Sequence, residues 1–162
     1  MYKVAIITAS DKGYAGERED KSGSVIEEIV TAHELEVTGK IILPDDRQML
    51  SDQMLNYCHQ GIDLILTTGG TGFSKRDVTP EATADIVERR ADNLTFAMIA
   101  NSLQYTPKAM LSRGIAGIRE NTLIVNLPGS PKAVRENLEY AIDAIIHGVK
   151  ILKGDDAECA RE

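Results

Sequence analysis

The chain of 162 residues has no tryptophan, two phenylalanines and five tyrosines, too few rings for a base-stacking platform. Its two cysteines, Cys58 and Cys159, lie far apart and make no metal-ligand spacing. That excludes a disulfide framework and a thiolate zinc site, and it fits a reduced, cytoplasmic protein with incidental thiols. No apolar run approaches the ~20 residues needed to cross a bilayer. The segment Met1 to Ile7 enters an apolar run of strand length and lacks the longer hydrophobic region and cleavage site of a signal peptide. Positive charge is in the minority: 18 lysines and arginines face 25 aspartates and glutamates, a net charge of −7. This argues against a nucleic acid or an anionic membrane as partner. A small phosphorylated ligand stays open, because backbone N–H groups can hold phosphate. The histidines His33, His59 and His147 fall on separate predicted helices, and no Ser/His/Asp or Cys/His set is visible.

Hydrophobic residues make up 43% of the chain, and a chain this size buries roughly 70% of its unfolded surface. A core can therefore form without disulfides or a structural metal. Val4 to Ile7 is apolar on both faces and predicts a buried parallel strand. Val25, Ile26, Ile29 and Val30 repeat at helical spacing. Val37 to Leu43 predicts a second strand, stopped by Pro44. Leu50, Met54, Tyr57 and Cys58 mark one face of a second helix, and Leu64 to Thr68 a third strand. A further helix is expected near Thr79, with Thr79 as N-cap and Pro80 at the first helical position. Another spans about Leu94 to Leu103. Ile115 to Ile118 and Leu123 to Leu127 predict a strand pair joined by Arg119 to Asn121. The last helix begins just after Pro131 and buries Val134, Leu138, Ala141, Ile142, Ile145 and Val149. Strands alternating with helices imply a three-layer α/β fold. The sheet is mostly parallel, with helices on both faces and an antiparallel edge strand. One domain is expected over residues 1–153, followed by a frayed acidic tail, 154–162.

In open α/β sheets ligands bind beyond the carboxyl ends of the strands, and three connections there are unusual. After the first strand, Ser10 to Gly23 makes a loop of about twelve residues, against the two to six that are ordinary. Its end, Ser22-Gly23, either caps the next helix or offers an anion a hydroxyl and bare N–H groups. After the third strand, Thr67-Thr68-Gly69-Gly70-Thr71-Gly72 runs on to Lys75, Arg76, Asp77 and Thr79-Pro80-Glu81. Glycines directly after a buried strand allow positive φ and clear side chains away from a phosphate. A tight turn explains one glycine but not three. The loop fits neither a Walker A motif nor G-x-G-x-x-G. After the last strand, Asn126-Leu127-Pro128-Gly129-Ser130-Pro131-Lys132 makes a stiffened glycine turn that opens a helix. Asp45 and Asp46 follow Pro44. They read either as a solvated helix cap or, with Asp77, as carboxylates for a Mg²⁺ that binds substrate phosphates.

Thr67 to Gly72 followed by Arg76-Asp77-Val78-Thr79-Pro80-Glu81-Ala82-Thr83 resembles the signature of the molybdopterin adenylyltransferase family of molybdenum-cofactor biosynthesis. Ser10-Asp11 with Gly16, Asp20, Ser22 and Gly23 resembles that family's first loop, Leu43-Pro44-Asp45 its second and Asn126 to Lys132 its last. The resemblance runs from Tyr2 to about Lys153. Two sibling branches fit less well. One reads Met-Pro-Gly-Ser-Thr-Lys in the last loop, where this chain has Leu127-Pro128-Gly129-Ser130-Pro131-Lys132. The other, a nucleotide pyrophosphatase branch, has a Gly-Gly-Leu-Gly-Pro loop, where this chain has Thr71 at the third place.

The resemblance implies a homotrimer that activates molybdopterin with Mg²⁺–ATP, giving adenylyl-molybdopterin and pyrophosphate for a separate molybdenum insertase. It makes Asp77 the first Mg²⁺ ligand and Asp45 the second essential carboxylate. Substrate and phosphate contacts are expected from Ser10, Asp11, Ser22, Gly23, Thr68, Gly69, Gly70, Thr71, Gly72, Thr79, Pro80, Glu81, Asn126, Pro128, Gly129, Ser130 and Lys132. A molybdopterin carrier and a nucleotide pyrophosphatase of the same superfamily are the alternatives.

Overall fold

A computed structural model describes residues 1–155; Cys159 and the tail beyond Asp155 lie outside the described residues. Six strands form one sheet in the order β2-β1-β3-β6-β5-β4. The strands β1 (Lys3–Ala9), β2 (Glu36–Leu43), β3 (Leu64–Thr68) and β6 (Thr122–Leu127) run parallel. The strands β5 (Ala116–Arg119) and β4 (Arg89–Arg90) complete the sheet in antiparallel pairing.

Alternation along each strand sends side chains to opposite faces. On one face Val4, Ile6, Leu64, Leu66 and Val125 pack with Ile26, Met98, Leu138 and Ile142. These come from helices α2 (Lys21–Ala32), α5 (Asp92–Ser102) and α6 (Pro131–Lys153). On the other, Ala5, Ile7, Ile65 and Ile124 pack with Leu50, Met54, Tyr57 and Ile86. These lie on α3 (Arg47–His59) and just after α4 (Thr79–Ala84). The result is the expected three layers. Cys58 is buried in the second of them, and burial pushes its thiol up, which suits an inert packing residue. Among the described residues no helix is long and apolar enough to cross a membrane.

Four local expectations need correction. The long connection after β1 is not open loop: Ser10 caps a short helix, α1 (Asp11–Tyr14), by accepting from the Gly13 N–H at 2.9 Å. Ser22 does not cap α2; Asp20 does, accepting from the Gly23 N–H at 2.8 Å, because the helix begins at Lys21. Thr79 is already inside α4, whose N-cap is Val78, and Pro80 follows it. The Thr79 N–H donates to the Gly70 carbonyl at 3.1 Å while its carbonyl accepts from the Thr83 hydroxyl at 2.9 Å, so this residue ties the glycine loop to α4. The antiparallel edge holds two strands rather than one. β4 is too short to show a period, and it forms because β5 offers it a partner. A 3₁₀ turn over Pro107–Leu111 is likewise without periodic signal.

Strand β1 leads to β2 on one side and has β3 on the other, so strand order reverses between β1 and β3. Such a switch point opens a crevice at the carboxyl ends of the strands. The loops that follow β1 and β3 face each other there.

Ile142 is 1% exposed between the sheet and α2. Ile142→Ala should cost about 2–5 kcal/mol, read from urea unfolding. A loss near zero would contradict this packing.

Candidate functional site

A cavity of about 930 Å³ lies in that crevice, lined by residues 8–13, 18–22, 45, 68–70, 74, 76–77 and 129–131. Its floor is the turn Gly69-Gly70. Both residues have positive φ, 87° and 70°, which glycine adopts at little cost. A Cβ on Gly69 would strike the Ala9 carbonyl oxygen, and one on Gly70 would strike Thr79 Oγ1 and come within 3.1 Å of Asp45 Oδ1. The backbone thus lies against β1, Asp45 and α4 with no room for a side chain.

The adjacent aspartates after β2 differ completely. Asp46 is the N-cap of α3 and accepts from the Met49 N–H at 2.8 Å. Asp45 turns inward. Its Oδ2 accepts from the Asp11 N–H at 3.2 Å, while its own N–H donates to Asp11 Oδ1 at 3.0 Å. Its Oδ1 is buried and has no hydrogen-bond partner among the described residues, as is also true of Thr79 Oγ1. Native interiors leave few such atoms, and a carboxylate oxygen is among the costliest. Burial pushes the Asp45 carboxyl above the usual range; the Asp11 N–H opposes this, and the charges of Asp11 and Asp77 add to it. Asp11 is held low instead, chiefly by the Arg76 guanidinium, which pairs with it at 2.9 and 3.0 Å. On the facing loop, Asp77 Oδ2 accepts from the Ser74 N–H at 2.9 Å.

No group of three or more potential ligands forms a ready-made metal cage among the described residues. Mg²⁺ needs no such cage: it uses one or two carboxylates, keeps waters and takes substrate phosphate oxygens. An unpartnered carboxylate oxygen on Asp45, with Asp77 on the same cavity wall, fits that mode.

Residues 5–147 match the family described as "Probable molybdopterin binding domain". The chain belongs to this molybdopterin-binding family. It is 38% identical over 156 residues to a molybdopterin adenylyltransferase of Helicobacter pylori, covering 94% of this chain and 88% of that one. It is 41% identical over 159 residues to gephyrin of Dictyostelium discoideum, covering 92% of this chain but only 22% of gephyrin. The crystal structure of the molybdopterin biosynthesis enzyme MoaB from Thermus thermophilus superposes with a TM-score of 0.90 at 42% identity, covering 95% of this chain and 98% of that one.

In this member of the family, ten of the residues expected to bind or catalyse line the large cavity: Ser10, Asp11, Ser22, Asp45, Thr68, Gly69, Gly70, Asp77, Gly129 and Ser130. Several have their hydroxyls engaged by the scaffold. Ser22 donates to the Gly129 carbonyl and Thr68 to the Pro128 carbonyl, each at 2.6 Å, tying the last loop to the first two. Ser130 caps α6 by accepting from the Ala133 N–H at 3.1 Å. The Gly23 N–H is taken up by Asp20. Thr71, Gly72, Asn126 and Pro128 line a second cavity instead, of about 370 Å³, walled also by Met98, Ile99 and Leu111 and sharing Ser130 with the first. The Asn126 amide donates to Thr67 and Thr83 hydroxyls at 2.9 and 3.0 Å and accepts from the Ile115 N–H, which makes it a brace between strands and α4. Thr79 and Pro80 are buried behind the glycine turn, and Glu81 is held by Arg113. Lys132 lines neither cavity; it faces a third hollow with Tyr105 and Arg135.

Sequence reasoning missed two residues. Asp20 stood out only as part of a motif, yet it caps α2, accepts from the Thr8 hydroxyl at 2.8 Å and lines the cavity. The pattern Asp-x-x-Gly ahead of an apolar helix face could have revealed the cap. Arg113 sits in an irregular segment and gave no signal at all.

The two aspartates should separate in stability. The folded-state pKa of Asp45 lies above its unfolded one, so ionising it disfavours the native state. That penalty is absent below the unfolded pKa and fully present above the raised folded pKa. Asp45→Asn should therefore melt at or above wild type at pH 7, and the advantage should vanish in acid. Asp46→Ala should lose about 1 kcal/mol with its cap. Calorimetry across pH checks both; a clear loss of stability in Asp45→Asn at pH 7 would contradict the assignment.

Proposed function

We propose that this chain is a molybdopterin adenylyltransferase. A terminal phosphate oxygen of molybdopterin attacks the α-phosphorus of ATP, the bond from that phosphorus to the bridging oxygen of the β-phosphate breaks, and pyrophosphate leaves. Asp45 carries this reading. A site that only stored molybdopterin would have no use for a buried carboxylate oxygen without a partner beside the glycine turn that lines the cavity. The curated relatives that bear the adenylyltransferase name support it across nearly their whole length.

Both substrates are polyanions and the chain is acidic, so the cavity must supply local positive potential. The Gly69-Gly70 turn offers backbone N–H groups at little steric cost. Arg76 stands on the cavity wall, engaged with Asp11, and can exchange that carboxylate for a phosphate. Bound Mg²⁺, held by Asp45 and Asp77, would neutralise charge on the phosphates. Positioning and charge stabilisation are most of what nucleotidyl transfer asks of a protein.

The same proposal places the activity in one domain over residues 1–153, in the cytoplasm, with the product passed to a molybdenum insertase. The chain would work as a homotrimer. Exposed apolar side chains on and beyond α5, Phe96 at 74%, Tyr105 at 61% and Met110 at 65%, support this reading as groups that a partner copy would bury. Light scattering should return three times the chain mass at micromolar concentration; a monomer would count against this.

Mg²⁺–ATP should yield pyrophosphate only when molybdopterin is present. Asp45→Asn and Asp77→Asn should each bind molybdopterin yet lose transfer by ~10²-fold or more, the scale of one preorganised electrostatic contact. Asp46→Asn should lose far less. Pyrophosphate without molybdopterin would favour the pyrophosphatase reading. Molybdopterin binding with no pyrophosphate would favour a carrier.

A further inference from the structure

Arg113 lies between the 3₁₀ turn and β5, and it is absent from the lining of both the large and the second cavity. Its side-chain contacts all go to the chain that follows the glycine turn. Nε donates to the Gly72 carbonyl at 2.8 Å and Nη2 to the Asp77 carbonyl at 2.8 Å. Nη1 donates to Glu81 at 2.5 and 3.1 Å. The Arg113 backbone N–H donates to the Thr71 carbonyl at 2.8 Å. One partly buried side chain thus gathers both ends of the Gly72–Asp77 loop and the first turn of α4.

We infer that Arg113 is a positioning residue for adenylyl transfer: its guanidinium fixes the course of residues 72–81 from behind and so sets where the Asp77 carboxylate stands, without touching substrate. The inference rests on the adenylyltransferase reading. Asp77 is pinned three times: its carboxylate accepts from the Ser74 N–H, its own N–H donates to the Ser74 carbonyl at 3.0 Å, and its carbonyl, the one tie from outside the loop, accepts from Arg113. Peptide planarity extends the effect: with the Thr71, Gly72 and Asp77 carbonyls turned toward Arg113, the N–H groups of the residues after them point the other way. Glu81 balances the positive charge and holds the fork in plane. A guanidinium suits this task because its donors diverge in a fixed plane, whereas an ammonium is a point charge on a flexible stem. Two carbonyls and a carboxylate on one rigid fork, with a third carbonyl on the same residue's backbone, make a preorganised support of the kind a precise site requires.

The test compares Arg113→Ala and Arg113→Lys with wild type in molybdopterin binding, steady-state pyrophosphate release per folded molecule, and rescue by added ethylguanidinium. A displacement of the order of 1 Å at a reacting group can cost 10²-fold. Arg113→Ala should therefore lose kcat by ~10²-fold, with molybdopterin affinity changed by no more than about threefold. Ethylguanidinium should restore part of kcat, and ethylammonium at equal concentration should not. Arg113→Lys should keep the fold and remain well below wild type in kcat; it carries the test alone if the alanine variant does not fold. Wild-type kcat per folded molecule in either variant would overturn the inference. So would a loss of molybdopterin affinity that matches the loss of kcat, which would make Arg113 a substrate contact. If the wild-type chain itself releases no pyrophosphate, the adenylyltransferase reading fails first and this inference with it.

Discussion

The site depends on one close approach. The turn after β3 must pass against the end of β1, the Asp45 carboxylate and Thr79 at once. Only glycine at positions 69 and 70 permits it, both for the space and for the positive φ. With that approach in place, the segments that follow four strands, β1, β2, β3 and β6, share one cavity. The remaining hydrogen bonds follow from it. Thr68 and Ser22 draw in the loop after β6, and Asp11 and Asp45 each donate a backbone N–H to the other's carboxylate. Arg113 then holds the outgoing chain from behind.

The approach also strands two polar atoms. Asp45 Oδ1 and Thr79 Oγ1 are both buried near the Cα of Gly70 without partners among the described residues. A fold selected for stability alone would fill or pair such a place. On the proposed reading, their presence beside the large cavity is a local cost kept because the unpaired carboxylate has work to do. The core on both sides of the sheet supplies the stability that tolerates it.

Periodicity revealed the layers. The buried strand Val4 to Ile7, the helix face Leu50, Met54, Tyr57 and Cys58, and the long apolar face of α6 all stand where the pattern put them. Short or irregular pieces escaped it: β4, the 3₁₀ turn and α1 have too few residues to show a repeat. At the site, glycine chemistry made the turn after β3 legible. Which neighbour of the Asp45-Asp46 pair faces inward depends on where α3 begins, and a one-residue change in that start exchanges their roles. Asn126 shows what a loop motif hides. Its three side-chain hydrogen bonds go to the scaffold, a bracing role that no sequence pattern signals, while the residue also lines the second cavity. Arg113 was invisible because its partners, three backbone carbonyls and the Glu81 carboxylate, are brought together only by the fold.

Central to the account is the pairing of Asp45, from the end of β2, with Asp77, from the loop after β3, as a single electrostatic unit. A double-mutant cycle on pyrophosphate release measures this directly. Groups that act as a unit are strongly non-additive. Removing both carboxylates as asparagine should therefore slow transfer no further than the worse single replacement. If the two losses multiply in the double variant, Asp45 and Asp77 act independently and the shared site described here is wrong.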